Sequence, residues 1–333
     1  MPEPIRVAIT FRVDDEVVER IRAVSPRIEI VDFPGIVLRP GVQLSDEEMA
    51  RAKAALAQAE VVFGPNTLPA ELVQVAANLK WFQVITAGVD RMVEDGLVGR
   101  HFTITKVTGM TSAAIAEYVI GMMLMLCKGL HQSVRDQEQH KWNFRFTAEL
   151  TGKTCGIVGL GSIGRETAQR ARSFGMRVVA CRRRARPGER DEDCDALYSY
   201  TELGRVLEES DYVVVAVPLT AETYHLIGAA ELGRMKRSAS LVNIARGPVV
   251  DQDALVAALR DGTIASAALD VFDPEPLSAE SPLWDMPNVI VTPHISGAIE
   301  GYGHRAAEVF VRNLRHYVAG EPLENQVDPV LAY

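Results

Sequence analysis

The chain has 333 residues, 35 Lys+Arg against 44 Asp+Glu for a net charge of −9, and 47% apolar and 24% charged residues. Those proportions exclude global disorder, and the length suggests two domains at ~100–200 residues each. The acidic balance argues against a nucleic-acid binder, which needs a basic face, and no run of ~18 apolar residues suggests a membrane span.

The start, Met1-Pro2-Glu3-Pro4-Ile5-Arg6, lacks the apolar core of a signal peptide, so a cytoplasmic protein is expected. Cys127, Cys155, Cys181 and Cys194 show no Cys-x-x-Cys spacing. Buried thiols in a reducing compartment are expected, and no metal site.

Strand and helix signals alternate through the first third. Ile5–Ile9 alternates as a strand, Asp14–Val24 repeats at helical period, and Ile28–Val31 is a short strand. Ser45-Asp46-Glu47-Glu48 is a capping box opening a helix to Ala59. Val61–Phe63 ends at the turn Gly64-Pro65, and Pro69 starts a helix running to Leu79. Trp81–Ile85 is the next strand. Strands separated by helices mean a parallel sheet covered on both faces.

The rhythm changes near residue 105. Thr111–Leu130 reads as one long helix, apolar nearly all round, and therefore buried at a domain or subunit junction. Its Met122, Met123 and Met125 read as packing. After a polar stretch, His131–Asn143, strands are expected at Cys155–Val158, Arg177–Cys181, Tyr212–Val217, Ser240–Ile244, Ala265–Leu269 and Val289–Val291. A last helix is expected from about Ala298 to Val318.

Gly-x-Gly-x-x-Gly stands at Gly159, Gly161 and Gly164, between a strand and the helix Arg165–Phe174. Gly159 permits the tight turn, Gly161 lets backbone approach a pyrophosphate, and Gly164 lets the helix pack on the strand. The helix N-terminus offers free N–H groups and a positive dipole to phosphates. In that context the pattern predicts a dinucleotide site.

An NAD site expects a carboxylate at the end of the following strand. Here Gly175–Cys181 ends in Arg182-Arg183-Arg184, and no carboxylate follows until Glu189. A guanidinium binds a 2′-phosphate bidentately, where a carboxylate would repel it. NADP(H) preference is expected, with Arg182 and Arg183 as clamps and NAD(H) as the second coenzyme. The alternative for the run is a solvated basic surface loop.

Four ordered motifs resemble the D-isomer-specific 2-hydroxyacid dehydrogenases over nearly the whole chain. They are Leu150–Gly161 around the glycine loop, Asn243–Asp251 around Arg246, Asp270–Pro276 around Glu275, and Thr292–Gly297 around His294. The resemblance implies an α/β fold of two doubly wound parallel-sheet domains, a flavodoxin-like substrate domain and a Rossmann NAD(P)-binding domain, with a cleft between. Residues 1–104 plus 298–333 would form the first and 105–297 the second, with a homodimer through the 112–130 helix region.

By the same resemblance His294 is the proton donor, since imidazole is both acid and base near neutrality. Glu275 would hold its other ring nitrogen and favour its charged form. Arg246 would polarise the substrate carbonyl and pair with its carboxylate. Ala87 and Gly88, in Thr86–Asp90, would take that carboxylate through backbone N–H groups, and Thr108-Gly109 would line the cleft floor.

Ser162 and Ile163 would touch the pyrophosphate, and Val217, Pro218 and Thr223 would flank the adenosine and its ribose. Ile244, Asp270 and Gly297 would lie at the nicotinamide. Read without the family, the alternative for Glu275 is a turn residue between Pro274 and Pro276, and for Arg246 a phosphate contact, although Gly247-Pro248 suggests backbone geometry that aims it into a crevice. Phe11, Val89, Trp142 and Tyr302 are candidates for setting substrate size.

The expected activity is reduction of a small 2-keto acid of the glyoxylate or hydroxypyruvate kind. Glu275 with His294 argues against a formate dehydrogenase, which needs no proton transfer. A long phosphoglycerate dehydrogenase would carry a regulatory domain beyond Tyr333, whereas the short type and a phosphite dehydrogenase stay open. A nucleotide-sensing corepressor is the alternative of another class, with no disordered tail in the sequence to favour it.

Overall fold

Short apolar runs bounded by turn residues form strands, and capped amphipathic runs form helices, over residues 3–31, 44–186 and 188–329, which the computed structural model describes. Residues 1–2 and 330–333, at the ends of the expected substrate domain, lie outside the described residues. The chain divides into two units, Met1–Met110 with Glu300–Tyr333, and Thr111–Ile299.

The first unit alternates β1 (Ile5–Ile9), α1 (Asp15–Arg22), β2 (Ile28–Val31), α2 (Asp46–Leu56), β3 (Val61–Gly64), α3 (Ala70–Val75), β4 (Trp81–Val84), α4 (Asp90–Glu94) and β5 (Thr103–Thr105). Its five strands pair in the order β2-β1-β3-β4-β5, all parallel, which is a doubly wound order. Two local devices start its helices. Asp14 accepts from the Val17 N–H, and the Ser45–Glu48 capping box forms in both directions.

The second unit begins with α5 (Ser112–Cys127) and α6 (Leu130–Glu138). It continues with β6 (Thr154–Val158), α7 (Ser162–Ser173), β7 (Arg177–Arg182), β8 (Ala196–Ser199), α8 (Leu203–Glu209) and β9 (Tyr212–Val215). It closes with α9 (Ala229–Arg234), β10 (Ser240–Asn243), α10 (Gln252–Arg260), β11 (Ser266–Leu269) and β12 (Val289–Val291). The seven strands are parallel in the order β12-β11-β10-β9-β6-β7-β8, so the chain reverses its winding between β6 and β9. Ligands of open α/β sheets bind outside the strand ends at such a reversal.

The last helix, α11 (Tyr302–Ala319), belongs to the first unit because its apolar face completes that core. Phe310 stacks on Phe63 at 4.2 Å and on Trp81 at 5.2 Å. A buried polar chain fixes its register: Trp81 Nε1 donates to Thr105 Oγ1 (2.7 Å), and Thr105 Oγ1 and Asn313 Nδ2 both donate to Gln83 Oε1 (2.8 and 3.0 Å). Every partner is satisfied, which is what makes burying these amides tolerable.

Several elements differ from expectation. The single helix expected over 111–130 ends at Cys127. Gly129 takes φ +62°, and α6 leaves at 67° to α5. Helix α6 lies in the stretch read as polar because none of its residues is buried, so it has no apolar stripe to detect. The last helix starts at Tyr302, not Ala298, because Gly301 turns the chain at φ +69°. Helices α2 and α3 stop short of Ala59 and Leu79. Strands β5 and β8 and helix α4 are additions, each too short to carry a periodicity. No single helix among the described residues is long and apolar enough to cross a membrane.

Candidate active site

All seven strands of the second unit point the same way, so their carboxyl ends form one edge. Read across it, the segment after β12 carries His294, that after β11 carries Asp270 and Glu275, and that after β10 carries Ile244 and Arg246. Then come Val217, Pro218 and Thr223 after β9, Gly159 to Gly164 after β6, and Arg182 and Arg183 at the end of β7. The line spans five strand spacings, roughly 24 Å.

The glycine loop has the geometry of a phosphate cradle. Gly159 takes φ +108°, and a Cβ there would sit 2.6 Å from the Ala216 carbonyl oxygen of the β9 segment. A Cβ on Gly164 would sit 2.3 Å from the Gly159 oxygen. Both glycines are therefore demanded by the backbone itself. Gly161 differs: a Cβ there meets nothing within 4 Å. It is the N-cap of α7 and offers no side-chain cap, so the first N–H groups of that helix, with exposed Ser162 and half-buried Ile163, face open space. This donor set fits a pyrophosphate.

His294 and Glu275 meet directly. His294 Nδ1 lies 2.8 Å from Glu275 Oε2, and Glu275 Oε1 accepts the Phe272 N–H at 3.0 Å. Burial works to raise the Glu275 pKa, but the hydrogen bonds from His294 and Phe272 and the charge of nearby Arg246 bring it below its ordinary value. The carboxylate is thus held ionised against the ring. Arg246 follows β10, its guanidinium donating to the Ala245 carbonyl at 2.7 Å.

His294 has a left-handed backbone at φ +53°, an uncommon state for a side chain of its size. The cause is Asp270, which is fully buried. The Asp270 carbonyl accepts the His294 N–H (2.9 Å), and its carboxylate accepts the N–H groups of Ile295 and Ser296 (2.9 Å each) and the Thr292 hydroxyl (2.6 Å). Tyr118 on α5 closes the chain at 2.6 Å from Thr292 Oγ1, and burial pushes its phenol up to about 12. Sequence reading places Asp270 at the ligand. In the structure its carboxylate is spent on the His294 loop. Tyr118 and Thr292 were not singled out, since nothing local marks residues that meet only through packing.

Other expected contacts fall as follows. Val217 and Ile244 are buried under the edge, and Gly297 packs toward Ile115 and Thr111 of α5. Thr223 turns its hydroxyl inward, donating to the Pro218 carbonyl at 2.6 Å, so it shapes its loop. Arg182 is paired with Glu189 (2.5 Å) and Asp191 (3.4 Å), and Arg183 with Glu222 (3.5 Å). Arg165 on α7 grips Asp191 through two nitrogens at 2.8 Å and also holds Asp193. The acidic run at 189–195, right after the arginines, is the available signal for the Arg182 and Arg165 pairs, and nothing local marks Glu222.

In the first unit the loop after β4 carries Ala87 and Gly88. Thr86 Oγ1 (2.8 Å) and Asn66 Nδ2 (3.2 Å) tie down the Gly88 carbonyl, while the Ala87 and Gly88 N–H groups have no protein partner among the described residues. Of the size-setting candidates, Phe11 packs edge-on against Phe63, Val89 is buried, Tyr302 donates to the Ile85 carbonyl, and Trp142 is 99% exposed.

Comparison with known proteins shows the family and the fold. The sequence model of the D-isomer specific 2-hydroxyacid dehydrogenase NAD binding domain matches residues 120–296. A glyoxylate reductase of Thermofilum pendens is 40% identical over 265 residues, 77% of each chain. A glyoxylate/hydroxypyruvate reductase B of Escherichia coli is 36% identical over 296 residues, 87% of this chain and 90% of its own. A crystal structure of a D-isomer specific 2-hydroxyacid dehydrogenase from Xanthobacter autotrophicus, in complex with NADPH and MES, superposes with TM-score 0.81 at 31% identity, covering 99% of this chain and all of that one.

Proposed function

The chain belongs to the D-isomer-specific 2-hydroxyacid dehydrogenase family of NAD(P)-dependent oxidoreductases, and we propose that it is an NADP(H)-preferring reductase of glyoxylate and hydroxypyruvate. The observation that carries this is the 2.8 Å His294–Glu275 pair, on the same sheet edge as Arg246 and the glycine cradle. It is a proton-donating pair beside a cation, which reduction of a keto group requires and simple hydride abstraction does not.

When bound, the reduced nicotinamide supplies the hydride. Everything else falls to this chain. The imidazolium of His294 gives one N–H to Glu275 and aims the other, on Nε2, at the carbonyl oxygen as negative charge grows there. Glu275 fixes the ring orientation through the Nδ1 hydrogen bond. Arg246 stabilises the developing oxyanion and pairs with the substrate carboxylate. The unpartnered N–H groups of Ala87 and Gly88 are the second anchor for that carboxylate. Gly159, Gly161, Ser162, Ile163 and Gly164 hold the pyrophosphate, Arg182 and Arg183 the 2′-phosphate.

The segment after α6 supports a homodimer. It is tied down by polar contacts, Arg145 to Asp136 at 2.5 Å and Lys128 to the Ala148 carbonyl at 2.7 Å, yet leaves Trp142, Phe144 and Phe146 at least 80% exposed. Aromatic rings displayed on an anchored arm beside α5 fit burial by a second copy of the chain. The four cysteines are free and buried.

The test is NADPH and NADH oxidation with glyoxylate and hydroxypyruvate. A higher kcat/KM with NADPH is expected. Turnover confined to NADH would remove the clamp role of Arg182, and no turnover of either acid would remove the substrate assignment.

A further inference from the structure

We propose that Glu189 is a built-in competitor for the phosphate-binding arginine at the end of β7, and so sets how tightly this protein takes a 2′-phosphorylated coenzyme. The inference rests on the reading of Arg182 as a phosphate contact and names a second residue that regulates it.

The Glu189 carboxylate sits on Arg182 as a bound anion would. One oxygen lies 2.5 Å from the Arg182 guanidinium, and the other accepts the Arg186 backbone N–H at 2.8 Å. A guanidinium with a neighbouring backbone N–H is a donor pair that a phosphate oxygen accepts from equally well. The hydrogen bond from Arg186 and the charges of Arg182 and Arg186 hold Glu189 below its ordinary pKa, so it is an anion at neutral pH. The clamp is therefore filled by the chain's own charge.

The two carboxylates on Arg182 are not equivalent. Asp191 is locked by both terminal nitrogens of Arg165 and by the Asp193 N–H, with 9% of its side chain exposed. It is scaffolding. Glu189 has 31% of its side chain exposed, and beyond Arg182 it meets the backbone N–H and the charge of Arg186. It follows Gly188, whose φ of +77° turns the loop at that point. Its side chain has three rotatable bonds, so it swings into solvent without unfolding anything else. A phosphate monoester carries about −1.5 to −2 charges near neutrality against one for a carboxylate, so it displaces Glu189 at the cost of one partly exposed ion pair and takes over the Arg186 N–H.

The experiment is calorimetric titration without turnover. The probes are adenosine 2′,5′-bisphosphate, which carries the 2′-phosphate, and AMP, which lacks it. Glu189→Gln should tighten the first by about 3- to 5-fold, the scale of one such ion pair, and leave AMP unmoved. Glu192→Gln removes an exposed charge from the same loop and should move neither. An unchanged or weaker bisphosphate affinity in Glu189→Gln overturns the proposal, as does an equal gain in Glu192→Gln, which would reduce it to loop charge. Arg182→Gln separates the two readings. If it weakens the bisphosphate while Glu189→Gln does nothing, the clamp stands and the competitor falls. If it leaves the bisphosphate unmoved, the clamp falls and the competitor with it.

Discussion

In the seven-stranded unit the carboxyl ends of β6, β10, β11 and β12 lead into three glycines, Arg246, Glu275 and His294. In the five-stranded unit the ends of β1, β3 and β4 lead into Thr10, Gly64-Pro65 and Ile85–Gly88. One edge carries ionisable groups, and a buried carboxylate, Asp270, holds the loop of one of them, His294. The other offers backbone, and the charges of Lys106 and Asp90 beside it are set against each other. The first unit spends its polar side chains inside, where Gln83, Thr105 and Asn313 lock α11 in place. The same winding thus gives two edges of different character: the second unit displays charged and ionisable side chains, and the first displays backbone over a packed polar interior.

The deepest division between the units is expected from His294→Asn. Removing a positioned acid–base group costs about 10²- to 10⁴-fold in kcat, and here it should leave NADPH affinity intact, as stopped-flow turnover beside calorimetry would read. Equal losses in both would mean that His294 holds the loop and not the proton. The mirror image is Gln83→Leu in the first unit. It strips the acceptor from Thr105 and Asn313, and an unpaired buried polar group costs about 1–3 kcal/mol, seen as a lower urea midpoint with turnover per folded molecule unchanged.

Within the second unit, the glycines sharpen the contrast between frame and ligand site. Gly159→Ala forces a Cβ to within 2.6 Å of a backbone oxygen at φ +108°, so about 1–3 kcal/mol of stability should be lost. Gly161→Ala enters open space, so its melting temperature should hold while coenzyme binding weakens by about tenfold. If both variants lose stability alike, Gly161 is structural too.

The smallest expected effect concerns pH. Glu275 is held below its ordinary pKa, so its pairing stabilises the fold above the unfolded value of about 4.3 and is lost as pH falls through the folded one. The stability difference between the wild type and Glu275→Gln should close as pH falls below about 4.3, as thermal melts would record. A difference persisting at pH 3 would trace the effect to packing.

Much of this was legible locally. The capping box at Ser45, the strand before Gly159 and the order of the four motifs each depend on residues within a few positions of one another. What stayed hidden depended on distance or on weak local signals. Helix α6 has no buried face, and β8 has four residues, so neither imprints a period. Gly129 was visible as a glycine, but a single glycine inside an apolar run does not announce a 67° bend. Asp270 is marked by its motif, but its hydrogen-bond partners are not. Its partners, Ile295, Ser296 and Thr292, lie more than twenty positions on, and Tyr118 is farther still.

The sequence by itself determined the alternation of strand and helix, hence the parallel sheets, because periodicity and turn chemistry act within a few residues. It also determined which groups were available for chemistry, since glycine conformation and imidazole acidity are properties of single residues. Only the tertiary structure decided which strands became neighbours, and so lined up residues 159 to 294 along one edge. It alone decided that Asp270 bends the His294 backbone and that Glu189 occupies Arg182. Those outcomes follow from packing and from charge pairing through space, which residue order does not encode locally.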